Sequence, residues 1–182
     1  MSNNIEFGEN LQIRKIVILG PSAVGKTSLL NRYVHNDFDL KYKLTIGVDF
    51  LTKVIEYEPS KFVKLHIWDI GAQERFKFLH RSFYDGASGA LIVFDLSREQ
   101  TFSSMKVWLS EMKSIMKNEI PKVIIGNKFD LIPEIGRVIE SSEAEQYAKT
   151  EDCVYIETSA KTGENVEKAF LELTNQMINN NE

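Results

Sequence analysis

One segment near the start of the chain limits its possible folds more than any other. Residues Gly20 to Thr27 read GPSAVGKT and fit the pattern G-x-x-x-x-G-K-[ST]. A short run rich in β-branched residues, Ile13 to Leu19, precedes it, and apolar residues at helical spacing follow it. In a strand, loop and helix of this kind, backbone N–H groups and the helix N-terminus converge on an anion. The segment therefore predicts a phosphate site, in which Lys26 reaches the terminal phosphates and the Thr27 hydroxyl ligates Mg²⁺.

Five further runs predict the other strands of a sheet. Phe50 to Tyr57 and Phe62 to Asp69 are separated by a connection short enough for a hairpin. Ala90 to Phe94 and Val123 to Ile125 are short and apolar, which is typical of strands covered by helices on both faces, and Val154 to Glu157 is the last short strand.

Apolar stripes between these strands predict helices. One stripe runs from Met105 to Met116 and another from Val166 to Met177, both at helical spacing. Ser142 with Glu145 three residues later resembles a capping box that opens a further helix. Alternation of strand and helix predicts an α/β fold with a mostly parallel six-stranded sheet, helices on both faces, and ligands at the carboxyl ends of the strands.

Length and composition favour one ordinary globular domain over residues 1 to 182. The chain has 22 Lys plus Arg against 26 Asp plus Glu, and it contains no run of basic residues, so nucleic acid is not an expected partner. Its single cysteine, Cys153, favours a reducing compartment, and the cytoplasm is the expected location. Neither a membrane-length apolar run nor a signal-peptide core is present in the sequence.

Four short motifs add to the phosphate loop. They are Thr45 within LTIGVDF, Asp69 within WDIGAQE, Asn127, Lys128 and Asp130 within GNKFD, and Ser159 to Lys161 within ETSAK. Together with the loop, and in this order and spacing, they resemble the Ras-like small GTPases, and the first two narrow the resemblance to the Rab branch. The likeness covers a core of about residues 13 to 177 and implies a single P-loop small G protein domain.

The choice of base has a chemical reason of its own. Asp130 offers two carboxylate oxygens to the adjacent N–H donors of guanine, a pair that adenine lacks. The resemblance implies that Asn127 meets the base edge, Lys128 packs over the base and the Ala160 amide faces the guanine oxygen. It also implies that Phe38 crosses the guanine face, although a core aromatic is the alternative for that residue.

The resemblance implies a full set of site residues for GTP or GDP and Mg²⁺. Thr27, Thr45 and Asp69 would hold the metal, Gln73 would orient the attacking water together with catalytic Lys26, and Tyr42 would cover the phosphates unless it is a plain surface tyrosine. The nucleotide-binding set comprises Ser22, Ala23, Val24, Gly25, Lys26, Thr27, Ser28, Phe38, Tyr42, Thr45, Ala72, Asn127, Lys128, Asp130, Ser159, Ala160 and Lys161.

The sequence departs from the family after the third strand. The family pattern is Asp-Thr-Ala-Gly-Gln, whereas this chain has Asp69, Ile70, Gly71, Ala72 and Gln73, so the glycine has moved by one position. If the family position requires a positive φ, alanine there costs about 1 to 2 kcal/mol, and hydrolysis or switching is impaired. Alternatively, Gly71 offsets the change by letting the preceding peptide flex.

The resemblance also implies partners. The aromatic triad through which Rab proteins contact effectors is matched by Phe50, Trp68 and Phe83. The resemblance also implies an exchange factor and a GTPase-activating protein that bind the same switch regions. The alternative is that these aromatics simply pack over the sheet, and it applies to Phe83 above all. Rab-like proteins usually end in prenylated cysteines, but this chain ends at Glu182. Attachment to the cytosolic face of endomembranes is therefore expected only if a lipidated tail is missing from the sequence.

The leading hypothesis is a Rab-like switch that binds Mg·GTP or GDP, hydrolyses GTP slowly and recruits effectors in vesicle traffic. The alternative is a nucleotide-bound interaction module with weak or no hydrolysis, motivated by Ile70 and Ala72. A P-loop ATPase or nucleoside kinase is a third class, which the motifs NKFD and ETSAK disfavour.

Overall fold

A six-stranded sheet organises the computed structural model, which describes residues 11–39, 45–73 and 78–179. Its strands are β1 (Leu11–Leu19), β2 (Val48–Glu58), β3 (Lys61–Ile70), β4 (Gly89–Asp95), β5 (Lys122–Asn127) and β6 (Val154–Glu157). The order across the sheet is β2-β3-β1-β4-β5-β6, in which β2 and β3 are antiparallel and every other pair is parallel. The predicted α/β fold with a mostly parallel six-stranded sheet is confirmed.

Helices connect the strands. They are α1 (Lys26–His35), α2 (His80–Tyr84), α3 (Glu99–Ile115), α4 (Ile132–Ile135), α5 (Ser141–Thr150) and α6 (Val166–Asn179), with a 3₁₀ turn at Phe129–Leu131 just before α4. One of these begins differently from the sequence prediction. Helix α5 begins at Ser141 after Glu140, without a side-chain cap, so the capping box predicted at Ser142 and Glu145 is wrong. The hydroxyl of Ser141 instead donates to Glu157 at the end of β6, 2.6 Å away.

The β2-β3 hairpin is longer than its apolar pattern suggested. Glu58 pairs with Lys61 across a tight turn, in which Ser60 takes a positive φ of 63°. Pairing continues to Val48 and Ile70, beyond the predicted strand ends. The extra length carries the hairpin to the edge of the sheet at which the phosphate loop lies.

Two apolar layers cover the two faces of the sheet. Helices α1 and α6 form the first, in which the rings of Tyr33 and Phe170 stack at 3.8 Å between centroids. Helices α2, α3 and α5 form the second, around Phe102, Met105 and Leu109. Each buried Leu, Ile or Phe side chain contributes about 1.5 to 3 kcal/mol to folding. The sheet is thus a rigid support for the loops at its ends.

Those loops gather at the carboxyl edge of the parallel strands. Residues Gly20, Gly71, Asp95, Asn127 and Thr158 end or follow β1, β3, β4, β5 and β6, respectively. In the described ranges, no helix has the length and apolar character needed to cross a bilayer.

Candidate functional site

The loop between β1 and α1 has a backbone that only a few residue types adopt easily. Gly20 and Gly25 have φ values of 137° and 93°, and Ala23 takes a left-handed φ of 62°. A side chain on Gly20 would collide with the carbonyl of Val93 on β4. The glycines therefore let the loop turn closely against the sheet before α1 begins at Lys26.

Lys26 is the buried cation of this loop. Only 7% of the residue is exposed, and its ammonium donates to the carbonyl oxygens of Gly20 at 2.8 Å and Pro21 at 3.0 Å. Burial lowers the pKa of Lys26 to about 8, against a smaller raising effect of the Asp69 carboxylate. A phosphate in the loop would favour the charged ammonium.

Three oxygen-bearing side chains converge beside this lysine. The Thr27 hydroxyl lies 2.7 Å from that of Thr45 and also donates to Asp69 Oδ2, which Thr45 approaches at 3.3 Å. The other carboxylate oxygen of Asp69, Oδ1, is buried and finds no hydrogen-bond partner in the described part of the chain. Burial raises the pKa of Asp69, while hydrogen bonds from Thr27 and Thr45 and the charge of Lys26 lower it.

This donor set fits Mg²⁺. Hydroxyl and carboxylate oxygens are the ligands that Mg²⁺ takes in phosphate sites, usually only one or two of them with water and substrate phosphate completing the shell. The carboxylate of Asp69, whose buried Oδ1 has no hydrogen-bond partner in the described residues, meets that requirement. Elsewhere in residues 11–39, 45–73 and 78–179, no group of three His, Cys, Asp or Glu side chains could hold a metal ion.

Two loops form the other end of the site. Asn127 donates to the Val24 carbonyl at 2.8 Å, and its amide oxygen accepts from the Thr158 hydroxyl at 3.1 Å and from the Ala160 N–H at 3.3 Å. Asn127 therefore ties the phosphate loop to the segment after β6. Asp130 stands next to it, accepting from the Ser159 hydroxyl at 2.6 Å.

These two ends lie in one cleft of about 380 Å³. Fourteen predicted residues line it: Ser22, Ala23, Gly25, Lys26, Thr27, Ser28, Phe38, Thr45, Ala72, Asn127, Lys128, Asp130, Ala160 and Lys161. Phe38 lines the cleft and also packs against the first apolar layer. Its surroundings therefore agree in part with a residue at the guanine face and in part with a core aromatic.

Other predicted residues lie away from the cleft wall or outside the described ranges. Val24 is a fully buried core residue, and Ser159 is fully buried with its hydroxyl on Asp130, so neither lines the cleft. Gln73 donates to the Thr45 carbonyl at 3.3 Å rather than facing the cleft. Tyr42 lies outside the described residues.

Two residues that contact the site lie outside the sequence motifs. Arg32 on α1 donates to the carbonyl oxygens of Ala160 at 2.9 Å and Lys161 at 2.7 Å, which ties α1 to the segment after β6. Asp95, at the end of β4, holds the ammonium of Lys128 at 2.8 Å. Its place at the carboxyl edge of a buried strand was the sequence signal that could have identified it.

The displaced glycine has a defined setting. Gly71 is buried and donates its N–H to the Gly47 carbonyl at 2.8 Å. Ala72 is half-buried, lines the cleft and is not among the residues with positive φ. The backbone cost expected from a positive φ at Ala72 therefore does not arise in this conformation.

The aromatic triad is only partly displayed. Phe50 is 55% exposed and meets Trp68 edge to face at 4.6 Å between ring centroids. Lys15 places its ammonium 3.6 Å from the Trp68 ring centroid. Phe83 is only 8% exposed and belongs to the second apolar layer, which supports the alternative that it covers the sheet.

Fold and site together define a class. A glycine-containing loop between the first strand and helix of a parallel sheet, with a buried lysine and a Thr and Asp oxygen cluster, is the arrangement of a P-loop nucleoside-triphosphate-binding protein.

Comparison with known proteins gives the family. Residues 15–179 match the model of the Ras family. The Ras-related protein RABA5d of Arabidopsis thaliana is 45% identical over 93% of this chain and 76% of its own length. Human Ras-related protein Rab-4B is 39% identical over 91% of this chain and 76% of its own, and Ras-related protein RabJ of Dictyostelium discoideum is 43% identical over 91% and 64%. The chain belongs to the Ras family and is a Rab-like small GTPase.

Proposed function

We propose that this protein is a guanine-nucleotide switch that binds Mg·GTP and GDP, hydrolyses GTP slowly and recruits partners in vesicle traffic. One observation carries the proposal: a single cleft is lined by Lys26, Thr27 and Thr45 at one end and by Asp130 at the other. The buried Asp69 carboxylate lies directly behind the two threonine hydroxyls. Such a cleft suits a ligand with a terminal polyphosphate and a base that presents paired N–H donors.

Base choice rests on Asp130 and the residues that fix it. Ser159 holds one carboxylate oxygen at 2.6 Å and Lys161 approaches the other at 3.9 Å, so the carboxylate keeps a defined orientation. Two oxygens in one plane accept from the N1–H and exocyclic amine of guanine. Adenine would leave this charge without donors, which is a strong source of discrimination.

At the phosphate end, Thr27, Thr45 and Asp69 would hold Mg²⁺. When bound, Mg²⁺ neutralises charge on the β- and γ-phosphates. Lys26 supplies a second positive charge from the floor of the loop, where burial makes it effective. Thr45 is the residue whose position would report the terminal phosphate, because its hydroxyl reaches the cluster from a separate loop.

Hydrolysis is assigned to Gln73 as the group that orients water. In this structure its amide lies on the Thr45 carbonyl, so the side chain must rotate to reach the cleft. Slow hydrolysis is further expected because Ala72 places a methyl group on the cleft wall where the family has glycine. A nucleotide-bound interaction module with little hydrolysis is the second candidate, and the same methyl group favours it.

Partners are proposed to bind the exposed aromatics beside the switch segments. Phe50 and Trp68 offer a rigid apolar anchor, and Ile46 and Phe78 are 68% and 77% exposed nearby in sequence. Effectors, an exchange factor and a GTPase-activating protein are the expected classes of partner. A cytoplasmic location is proposed, with attachment to the cytosolic face of endomembranes where the full-length protein carries a lipidated tail.

The first test identifies the nucleotide. Protein purified with Mg²⁺ is denatured, and the released nucleotide is separated by chromatography. Guanine nucleotide supports the switch and the interaction module alike, whereas adenine nucleotide contradicts both.

Single-turnover hydrolysis of loaded GTP then separates the two: slow conversion to GDP supports the switch, and GTP that persists over many hours supports the module.

A further inference from the structure

The carbonyl groups of residues 20–25 in the phosphate loop are all hydrogen-bonded within the protein. Six consecutive carbonyl oxygens accept hydrogen bonds: Gly20 and Pro21 from Lys26, Ser22 and Ala23 from Arg98, Val24 from Asn127, and Gly25 from the N–H of Leu29. Carbonyl oxygens that accept from donors within the protein are already satisfied, which leaves the N–H groups of the loop as the backbone groups available to an anion. Those N–H groups are the ones that a phosphate needs.

Arg98, the residue immediately before α3, lies outside the nucleotide motifs. Its Nη2 lies 2.9 Å from the Ala23 carbonyl and 3.4 Å from the Ser22 carbonyl. Ala23 is the non-glycine residue of the loop with a left-handed backbone, a conformation that is unfavourable for a residue with a side chain. A hydrogen bond to its carbonyl stabilises the conformation at the point where the loop is most strained.

Asp95 fixes this arginine. Its side chain is 1% exposed and accepts from Arg98 Nε at 2.8 Å and from the Ser97 hydroxyl at 2.6 Å. The same carboxylate holds Lys128 at 2.8 Å. One buried carboxylate thus joins the phosphate loop, through Arg98, to the lysine beside the base.

We propose that Arg98 is a positioning residue that holds the phosphate loop in its binding conformation and so slows nucleotide release. The proposal rests on the proposed function, since it concerns the same guanine-nucleotide cleft. A planar guanidinium can contact Asp95 through Nε and the loop through Nη2 at once, whereas an ammonium is a single point and cannot bridge both.

The test compares release rates of fluorescently labelled GDP from wild type, Arg98→Ala, Arg98→Lys and a control, Lys117→Ala, which removes an exposed cation just beyond the end of α3. Because 44% of the Arg98 side chain is exposed, we expect release to quicken roughly three- to tenfold in Arg98→Ala, less than for a fully buried charge-assisted bond. Arg98→Lys should release GDP nearly as fast as Arg98→Ala does, and Lys117→Ala should release it at the wild-type rate.

A second measurement separates loop positioning from general loss of stability. GMP lacks the β-phosphate, so its affinity should be nearly unchanged in Arg98→Ala while GDP affinity falls. Equal weakening of GMP and GDP would overturn the proposal, and so would a wild-type release rate in Arg98→Ala or full rescue by Arg98→Lys. Failure of the proposed function looks different, because wild-type protein would then retain no GDP at all.

Discussion

The N–H of Gly71 donates to the carbonyl oxygen of Gly47 across 2.8 Å, which joins the segment after β3 to the segment before β2. A Cβ on Gly71 would stand 2.6 Å from the Thr45 carbonyl oxygen and 2.8 Å from that of Gly47. Both are backbone atoms, so they can give way only if the Thr45 segment moves. The displaced glycine therefore permits the closed position in which Thr45 meets Thr27 and Asp69.

Gly71→Ala is expected to disfavour that closed position. Overpacking of this kind costs about 1 to 3 kcal/mol, and the cost falls on the conformation in which Thr45 reaches the phosphate end. The affinity ratio of GTP to GDP should fall about tenfold or more, since 1.4 kcal/mol corresponds to a factor of ten. Titration of both nucleotides measures the ratio, and an unchanged ratio would show that the Thr45 segment adapts at no cost.

Ala72→Gly is the matched change at the next residue. It removes a methyl group from the cleft wall. If this restores one hydrogen bond to the terminal phosphate, either the rate of single-turnover GTP hydrolysis or the ratio of GTP affinity to GDP affinity should rise by up to about tenfold. The double variant with Gly71→Ala and Ala72→Gly restores the family order but adds the clash at Gly71. It should therefore perform worse than Ala72→Gly alone; equal performance would contradict the role assigned to Gly71.

Much of this fold follows from local pattern. Apolar runs of β-branched residues and stripes at helical spacing identify strands and helices, and the carboxyl-edge rule predicts that Lys26, Asp69 and Asn127 lie close together. The loop motif then places the phosphate end. The strand and helix predictions are confirmed because each depends on spacing within one segment, whereas the phosphate site stays a prediction.

Long-range packing accounts for what the sequence did not reveal. The contacts of Arg98 with Ala23 and of Asp95 with Lys128 join segments far apart in the chain, so no short pattern encodes them. Phe83 matches a partner-binding aromatic by position, yet α2 packs it into the second apolar layer. The start of α5 is set by the bond from Ser141 to Glu157 on β6, a contact that outweighs the local capping signal.

Asp130→Asn tests the base assignment. The amide replaces one acceptor by a donor, so guanine nucleotides should bind roughly a hundredfold more weakly, while xanthine nucleotides, with an acceptor in place of the amine, should gain. Ser159→Ala is the companion change, because it leaves the carboxylate but removes the hydroxyl that orients it at 2.6 Å. We expect Ser159→Ala to lose less guanine-nucleotide affinity than Asp130→Asn and to keep its preference for guanine. Competition titrations with GDP, XDP and ADP measure these preferences, and unchanged guanine affinity in Asp130→Asn would refute the assignment.

Thr27→Asn tests the metal and phosphate end. Thr27 contacts both Thr45 and Asp69, and Mg²⁺ held there would neutralise γ-phosphate charge that only the triphosphate carries. GTP affinity should therefore fall further than GDP affinity, by about tenfold or more, and Thr27→Ser, which keeps the hydroxyl, should retain most of both. Chelation of Mg²⁺ should quicken GDP release from wild type. Equal losses of GTP and GDP in Thr27→Asn would contradict the metal assignment.

The pH dependence of stability can be tested at Glu157, which precedes the segment after β6. Arg137 contacts its two carboxylate oxygens at 2.6 and 2.8 Å, and Ser141 and Tyr155 donate at 2.6 and 3.0 Å. Burial alone would raise the pKa of Glu157, but these hydrogen bonds outweigh it and hold the pKa below its ordinary value of 4.5.

A carboxyl group whose pKa is lowered by folding stabilises the protein above its unfolded pKa, and that contribution is lost as pH falls through the folded pKa. At pH 7, Glu157→Gln should reduce the free energy of unfolding by about 1 to 2 kcal/mol, the range for charge-assisted bonds in a partly buried site. The gap to wild type should hold down to about pH 5 and shrink below about pH 4.5, near the ordinary glutamate pKa. Urea unfolding between pH 7 and pH 3.5 measures it, with exposed Glu145→Gln as the control. A gap that stays constant across this range would show that the ionised carboxylate of Glu157 contributes nothing to stability.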